Sequence, residues 1–113
     1  MSDSNKKQYL CKLNELTDPD SRGFTVKIKR QMTDIFIVRK AKQVYAYKNI
    51  CPHAQAPLEW NPDQFLDEEN TAIICAMHGA KFSIEEGECV SGPCNGVGLT
   101  SVELSIIDGD IFY

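Results

Sequence analysis

The chain has little histidine, little tryptophan and almost no positive charge in its second half. Two histidines and one tryptophan stand among 113 residues. Past residue 50 the one basic side chain is Lys81, set against eleven acidic residues, a balance of −10; residues 1–50 carry eleven basic and five acidic residues, a balance of +6. Phosphate binding needs a basic footprint near the working site, so an acidic second half argues against nucleic acid as a partner. The bland account of that acidity is solvated surface, and the functional one is docking of a basic partner. Long apolar runs are missing too. The longest, such as 35–38, fall far short of the ~20 residues a membrane helix requires, and the polar opening 1–7 is unlike a secretory signal. These absences point to a cytoplasmic protein that does not enter a membrane and keeps its thiols reduced.

Other chemistries are excluded in the same way. Gly92, Gly96 and Gly98 follow no strand-to-helix switch, so no phosphate-cradling loop is present. No internal repeat, low-complexity tract or convincing amphipathic helix is visible. Five cysteines, an odd number, cannot form a fully paired disulfide framework. Cys11 lies in an alternating segment and reads as a small core residue. Cys89 and Cys94 flank Gly92-Pro93 and could pair sterically, though a reducing compartment favours free thiols. A length of 113 residues sets the expectation of one domain, 1–113, whose modest core a metal centre could reinforce.

What is there stands out against this background. Both histidines lie beside cysteines, in Cys51-Pro52-His53 and in Cys75-Ala76-Met77-His78-Gly79. The pattern is Cys-x-His, 21 intervening residues, then Cys-x-x-His. Two thiolates and two imidazoles can hold a metal. With both histidines committed there, a Ser-His-Asp or Cys-His nucleophile set has no base.

The rest of the chain reads as β. Segments 8–13, 24–29, 34–39 and 43–47 alternate apolar and polar residues or are rich in β-branched and aromatic ones. Turn signals fall at Asp18-Pro19-Asp20, at Arg22-Gly23 and over 40–42. In 24–29, Phe24, Val26 and Ile28 face one way, while Thr25, Lys27 and Lys29 face the other. Segment 51–62 is loop, punctuated by Pro52, Pro57 and Pro62, and 63–70 is an acidic loop or helical turn. Short strands are expected at 71–76 and 80–84, with a tight turn over 85–88 in which Gly87 takes positive φ. Segment 91–98 reads as loop. A closing pair, 102–107 and 111–113, is joined by the hairpin signal Asp108-Gly109-Asp110. The expected fold is all-β: an antiparallel framework with a loop-rich insertion at roughly 49–95 that holds both metal motifs.

Two metals fit such a ligand set. Zinc would take all four in one tetrahedron. A Rieske-type 2Fe-2S cluster takes two cysteines on one iron and two histidines on the other. Mixed zinc fingers pair Cys with Cys and His with His, whereas here each loop supplies one of each. A binuclear centre with two distinct irons can use that arrangement.

The surrounding residues carry a resemblance. Cys51-Pro52-His53 is followed by Ala56-Pro57-Leu58, Cys75-Ala76-Met77-His78 by Gly79 and Phe82, and Ser91-Gly92-Pro93 comes later. The chain resembles the Rieske iron–sulfur family over nearly its whole length, and is most similar to the small soluble Rieske-type ferredoxins. The resemblance implies a Rieske-like sandwich or barrel. It implies that Cys51 and Cys75 ligate one iron and His53 and His78 the outer one, and that Gly92 and Pro93 belong to a third loop shielding the cluster. It further implies an electron carrier rather than an enzyme. Its partners would be a flavin-dependent reductase and an oxygenase or other redox acceptor, docked at the cluster tip of a monomer. Alternatives are a small subunit of a nitrite-reductase-type enzyme and a structural zinc domain.

Departures from the family pattern narrow the subtype. Where respiratory members carry a bracing pair of cysteines, this chain has Ala56 and Met77. Where they carry a serine and a tyrosine after His-Gly, it has Ala80 and Phe82, whose side chains donate no hydrogen bond. That implies a potential near the low end of the Rieske range, roughly −150 to +300 mV. Gln55 stands where ferredoxin-type members often have glycine, and Asp67-Glu68-Glu69 lengthens the span between the motifs. Phe82 and Trp60 read as packing residues, and Glu85, Glu86 and Glu88 as solvated charge at a turn.

Overall fold

The computed structural model describes residues 8–51, 57–58, 63–75, 79–92 and 98–113. Among the described residues nine strands form three antiparallel three-stranded sheets, and no α-helix occurs. The strands are β1 (Tyr9–Lys12), β2 (Asp20–Ile28), β3 (Gln31–Lys40), β4 (Gln43–Lys48), β5 (Ile73–Ile74), β6 (Lys81–Phe82), β7 (Cys89–Ser91), β8 (Ser105–Ile107) and β9 (Asp110–Phe112). The all-β antiparallel expectation holds.

The long meander β2-β3-β4 organises the molecule. Ile35, Phe36, Ile37 and Val38 of β3 are all fully buried, so this central strand is covered on both faces. The period of two then sorts its side chains into two cores. Phe36 and Val38 join Tyr47, Cys51, Leu58, Phe65, Ile73, Cys75, Ala80, Phe82, Ile84 and Leu99. On the opposite face Ile37 joins Cys11, Leu16, Ala46 and Ile111. Cys11 is thus the small core residue expected. Phe24 and Val26 are covered while Thr25 and Lys27 are exposed, as the alternation of that segment requires.

The sheet β1-β9-β8 closes the second core. Asp108 (φ 52°) and Gly109 (φ 81°) make the two-residue turn between β8 and β9, and Tyr9 packs edge-on against Phe112 across β1 and β9. Backbone bonds Lys48 N to Thr100 O (2.9 Å) and Val102 N to Ala46 O (2.9 Å) stitch the returning chain along β4. Residues 100–102 thus pair with β4 in isolated contacts, and the strand expected over 102–107 begins only at Ser105.

Two turns differ from expectation. Arg22-Gly23 lies inside β2, where Gly23 pairs with Phe36. A glycine there serves close approach: a Cβ would touch the Phe65 ring at 3.4 Å. The actual reversal between β2 and β3 falls on Lys29 (φ 49°) and Arg30 (φ 70°), neither of them a usual residue for positive φ. Nine consecutive β2–β3 pairs outweigh that local cost.

Candidate metal centre

The small sheet β5-β6-β7 and the chain end after β4 carry the two cysteine–histidine motifs. Cys51 follows β4 by three residues. Its loop is closed by Asn49, whose backbone N–H donates to Asp34 O (2.9 Å) and whose Oδ1 accepts from Leu58 N–H (2.9 Å). Asn49 and Leu58 are both buried, so one residue joins the two ends of the first motif loop through its side chain and ties them to β3 through its backbone. Sequence reasoning passed over this residue. The signal was available: asparagine next to a loop is a common partner for backbone N–H groups.

The second loop is closed by backbone. Cys75 N–H donates to Ala80 O (2.8 Å) and Gly79 N–H to Cys75 O (2.8 Å), with Gly79 at φ +72°. β5 and β6 then continue as its stem, pairing Ile73 with Phe82 and Ile74 with Lys81. On the outer side of β5, residues 65–67 add a partial fourth strand through the Leu66–Ile73 bridge and the bond from Ile74 N–H to Phe65 O (2.9 Å). Phe65 stacks on Phe36 with ring centres 4.3 Å apart, tying the inserted segment to the long meander. Ser21 Oγ adds a second tie, donating to Asp63 O (2.6 Å) and accepting from Phe65 N–H (3.2 Å).

A third segment covers the second loop. At Gly92 (φ +89°) a Cβ would meet Ala80 Cα at 2.8 Å and Gly79 O at 3.2 Å. Only glycine allows the chain after β7 to lie this close to the loop that starts at Cys75. Gly92 is therefore placed as a third-loop residue should be.

Cys51 and Cys75 are fully buried and belong to the same core cluster. His53 and His78 lie outside the described residues, as do Gln55, Ala56, Trp60, Met77, Pro93 and Cys94. Ala80 and Phe82 are buried, so Phe82 is a packing residue, as expected. Glu85, Glu86 and Glu88 are exposed, with Glu85 paired to Lys40 (2.5 Å). The hydrogen bond from Lys40 holds the Glu85 carboxyl below its ordinary pKa. This turn caps the end of the β6–β7 hairpin away from Gly79 and Gly92, so its acidity is remote from the cysteine loops. Gly87 (φ +70°) occupies the turn as anticipated and abuts the Tyr47 ring. Cys89 is disulfide-bonded, against the expectation of a free thiol.

A family model for the Rieske [2Fe-2S] domain matches residues 6–103. The chain belongs to the Rieske [2Fe-2S] family. Comparison with curated protein sequences found no match. Among solved structures the chain is similar to the ferredoxin of carbazole 1,9a-dioxygenase from Nocardioides aromaticivorans IC177. The two are 20% identical with a TM-score of 0.68, over 93% of this chain and 95% of that one. A chain from the complex of reduced oxygenase and oxidized ferredoxin in carbazole 1,9a-dioxygenase gives 22% identity and a TM-score of 0.71, over 91% and 96%. A candidate small subunit of an NADH-dependent nitrite reductase from Mycobacterium tuberculosis gives 17% and 0.65, over 95% and 92%. These likenesses show the Rieske ferredoxin fold.

Family membership decides between the two metals considered: the cofactor is a 2Fe-2S cluster. The residues present fit it. Two cysteine sulfurs, shielded from water in one apolar cluster, are suitable donors for iron.

Proposed function

We propose that this chain is a one-electron carrier, in which Cys51 and Cys75 ligate one iron and His53 and His78 the outer iron of the Rieske cluster. The cluster, when bound, supplies one-electron chemistry at a potential set by its ligands, by hydrogen bonds to its sulfurs and by solvent access. The observation that carries the reading is the pair of buried cysteines, each opening one motif loop and both in the same core. The rest of the chain's contribution is positional: Asn49 closes one loop, the Cys75–Ala80 backbone bonds close the other, and Gly92 covers it. Ala80 and Phe82 give the sulfurs no side-chain donor, which favours a potential near the low end, roughly −150 mV.

The reading extends to one domain over 1–113, with the ligand-bearing part at about 49–95, acting as a cytoplasmic monomer. It is not itself an enzyme. A flavin-dependent reductase supplies the electron, and an oxygenase or another redox enzyme accepts it, docking at the cluster tip. The named ferredoxin–oxygenase complex among its structural relatives supports the oxygenase as acceptor. The likeness to a nitrite reductase small subunit favours a second reading, a resident subunit of a larger reductase.

Low-temperature EPR and metal analysis of purified protein test the ligand set. Two irons per chain and a rhombic signal that appears after dithionite are expected. One zinc and no signal would overturn the assignment. Cys75→Ser should abolish the signal, and retention of the wild-type spectrum would remove that residue from the ligands. Free exchange between partners marks a carrier, and stable co-purification with a large reductase marks a subunit.

A further inference from the structure

The one basic residue of the second half, Lys81, opens β6 directly after Ala80, whose carbonyl closes the second motif loop. Its ammonium reaches across β5 to Asp67 Oδ2 at 3.2 Å. The Asp67 side chain is 4% exposed and that of Lys81 37%, so the carboxylate is the covered partner and the ammonium the half-open one. Asp67 also accepts from Thr71 N–H (2.8 Å), Thr71 Oγ1 (3.1 Å) and Ala72 N–H (3.3 Å), while its own N–H donates to Ala72 O (2.9 Å). Burial alone would raise the carboxyl pKa, but bonds from Thr71, Lys81 and Ala72 together bring it below its ordinary value, so it is charged at neutral pH. The neutral bonds to Thr71 and Ala72 would satisfy the turn by themselves. A covered carboxylate joined to the region's one cation does more: it straps residues 65–67, β5 and β6 together at the foot of the loop.

We propose that the Asp67–Lys81 pair is a positioning pair for the electron-transfer site, bracing the stem of the second ligand loop and balancing the charge felt at the metal centre. The inference rests on the reading that Cys75 and His78 in that loop are ligands. Reduction adds negative charge, so each partner's own charge biases it in a different direction. Removing the carboxylate charge favours the reduced state, and removing the ammonium disfavours it.

The test is spectroscopic redox titration of cluster-loaded wild type, Asp67→Asn, Lys81→Gln, Lys81→Arg and the Asp67→Asn/Lys81→Gln double variant, with EPR of each. At a fixed applied potential, Asp67→Asn should raise the reduced-to-oxidised ratio about threefold and Lys81→Gln should lower it about threefold. By the one-electron conversion of 59 mV per decade this is a shift of ~28 mV each way. Lys81→Arg should match wild type, and the double variant should return close to it. Should Asp67→Asn fail to fold, the contrast between Lys81→Gln and Lys81→Arg still decides. Shifts of one sign in both single variants, or none, with EPR line shapes intact, would overturn the pair's role while leaving the ligand assignment standing. Absence of the Rieske signal from wild type would sink the ligand assignment itself, and this inference with it.

Discussion

The two faces of β3 are built by different means. The face carrying Ile37 packs against Cys11, Leu16, Ala46 and Ile111, and the sheets around it have long, regular ladders or a tight hairpin. The face carrying Phe36 and Val38 packs against segments whose strands are two or three residues long. Such strands contribute few ladder bonds, so the second face depends on individual side chains: Phe65 stacked on Phe36, Asn49 across a loop, Ser21 on Asp63, Asp67 on Thr71 and Lys81. Backbone periodicity builds the platform, and single polar or aromatic anchors fix the loops on it. A site that must hold metal ligands at set positions gains from such anchors, because each ties one loop to one place.

Phe65→Ala gives the largest separation of the two faces. Removing a fully buried ring stacked on Phe36 should destabilise the protein by about 3–5 kcal/mol, read as a lower midpoint in urea unfolding. Cluster retention should fall with it. Ile111→Ala, on the opposite face, should cost about 2–5 kcal/mol but leave the spectrum of the remaining folded protein unchanged. Equal loss of cluster in both variants would show that the faces are one cooperative unit.

How much of this was legible beforehand follows the same division. The strands around the Ile37 face announce themselves by alternation and by the Asp108-Gly109 turn, because period two and a positive-φ turn are written in residue type. The Lys29-Arg30 reversal was not legible, since neither residue favours positive φ and only the tertiary pairing of β2 with β3 forces it there. β7 was hidden in a segment dominated by its glycines. At the site, the cysteines and histidines were visible as a motif. The ties that Asn49, Ser21 and Asp67 make to Leu58, Asp63 and Lys81 were not, because those partners lie 9, 42 and 14 residues away in sequence and residue type alone does not name them.

Tyr47 belongs to the anchored face and gives a pH test of it. Its hydroxyl is buried and donates to Ile84 O (2.6 Å), and burial chiefly, with the nearby Glu85 charge, pushes its pKa up to about 12. A raised folded-state value means the neutral phenol stabilises the fold. That contribution is fully present below pH ~10, the unfolded value, and is lost as pH rises through about 12. The loss should be on the order of 2–3 kcal/mol, visible as an alkaline fall in the urea midpoint. Tyr47→Phe should be less stable at neutral pH and flatter between pH 10 and 12; an alkaline limb equal to wild type would place the titrating group elsewhere.

Asn49→Ala leaves Leu58 N–H, in a buried position, without the side-chain acceptor that closes the first motif loop. A cost of about 1–3 kcal/mol is expected. Asn49→Asp keeps an acceptor and should recover part of that loss. Hydrogen exchange should show the change concentrated at the loop's ends, with the β2–β3 ladder unaffected.

The smallest effect is expected at the ion pair between Lys40 and Glu85, which joins the end of β3 to the turn after β6. Both side chains are about half exposed, so water and salt screen the attraction, and two long side chains lose freedom in making it. Lys40→Gln should leave the thermal midpoint and the cluster spectrum near their wild-type values at 0.15 M salt. Tyr47 and Gly87 already dock that turn, through the Tyr47–Ile84 bond and the close approach of Gly87 to the Tyr47 ring, so the ion pair adds to a contact that is made without it. A large, salt-dependent loss in Lys40→Gln would reverse this ordering and make surface charge, rather than buried anchors, the main tie between the two halves.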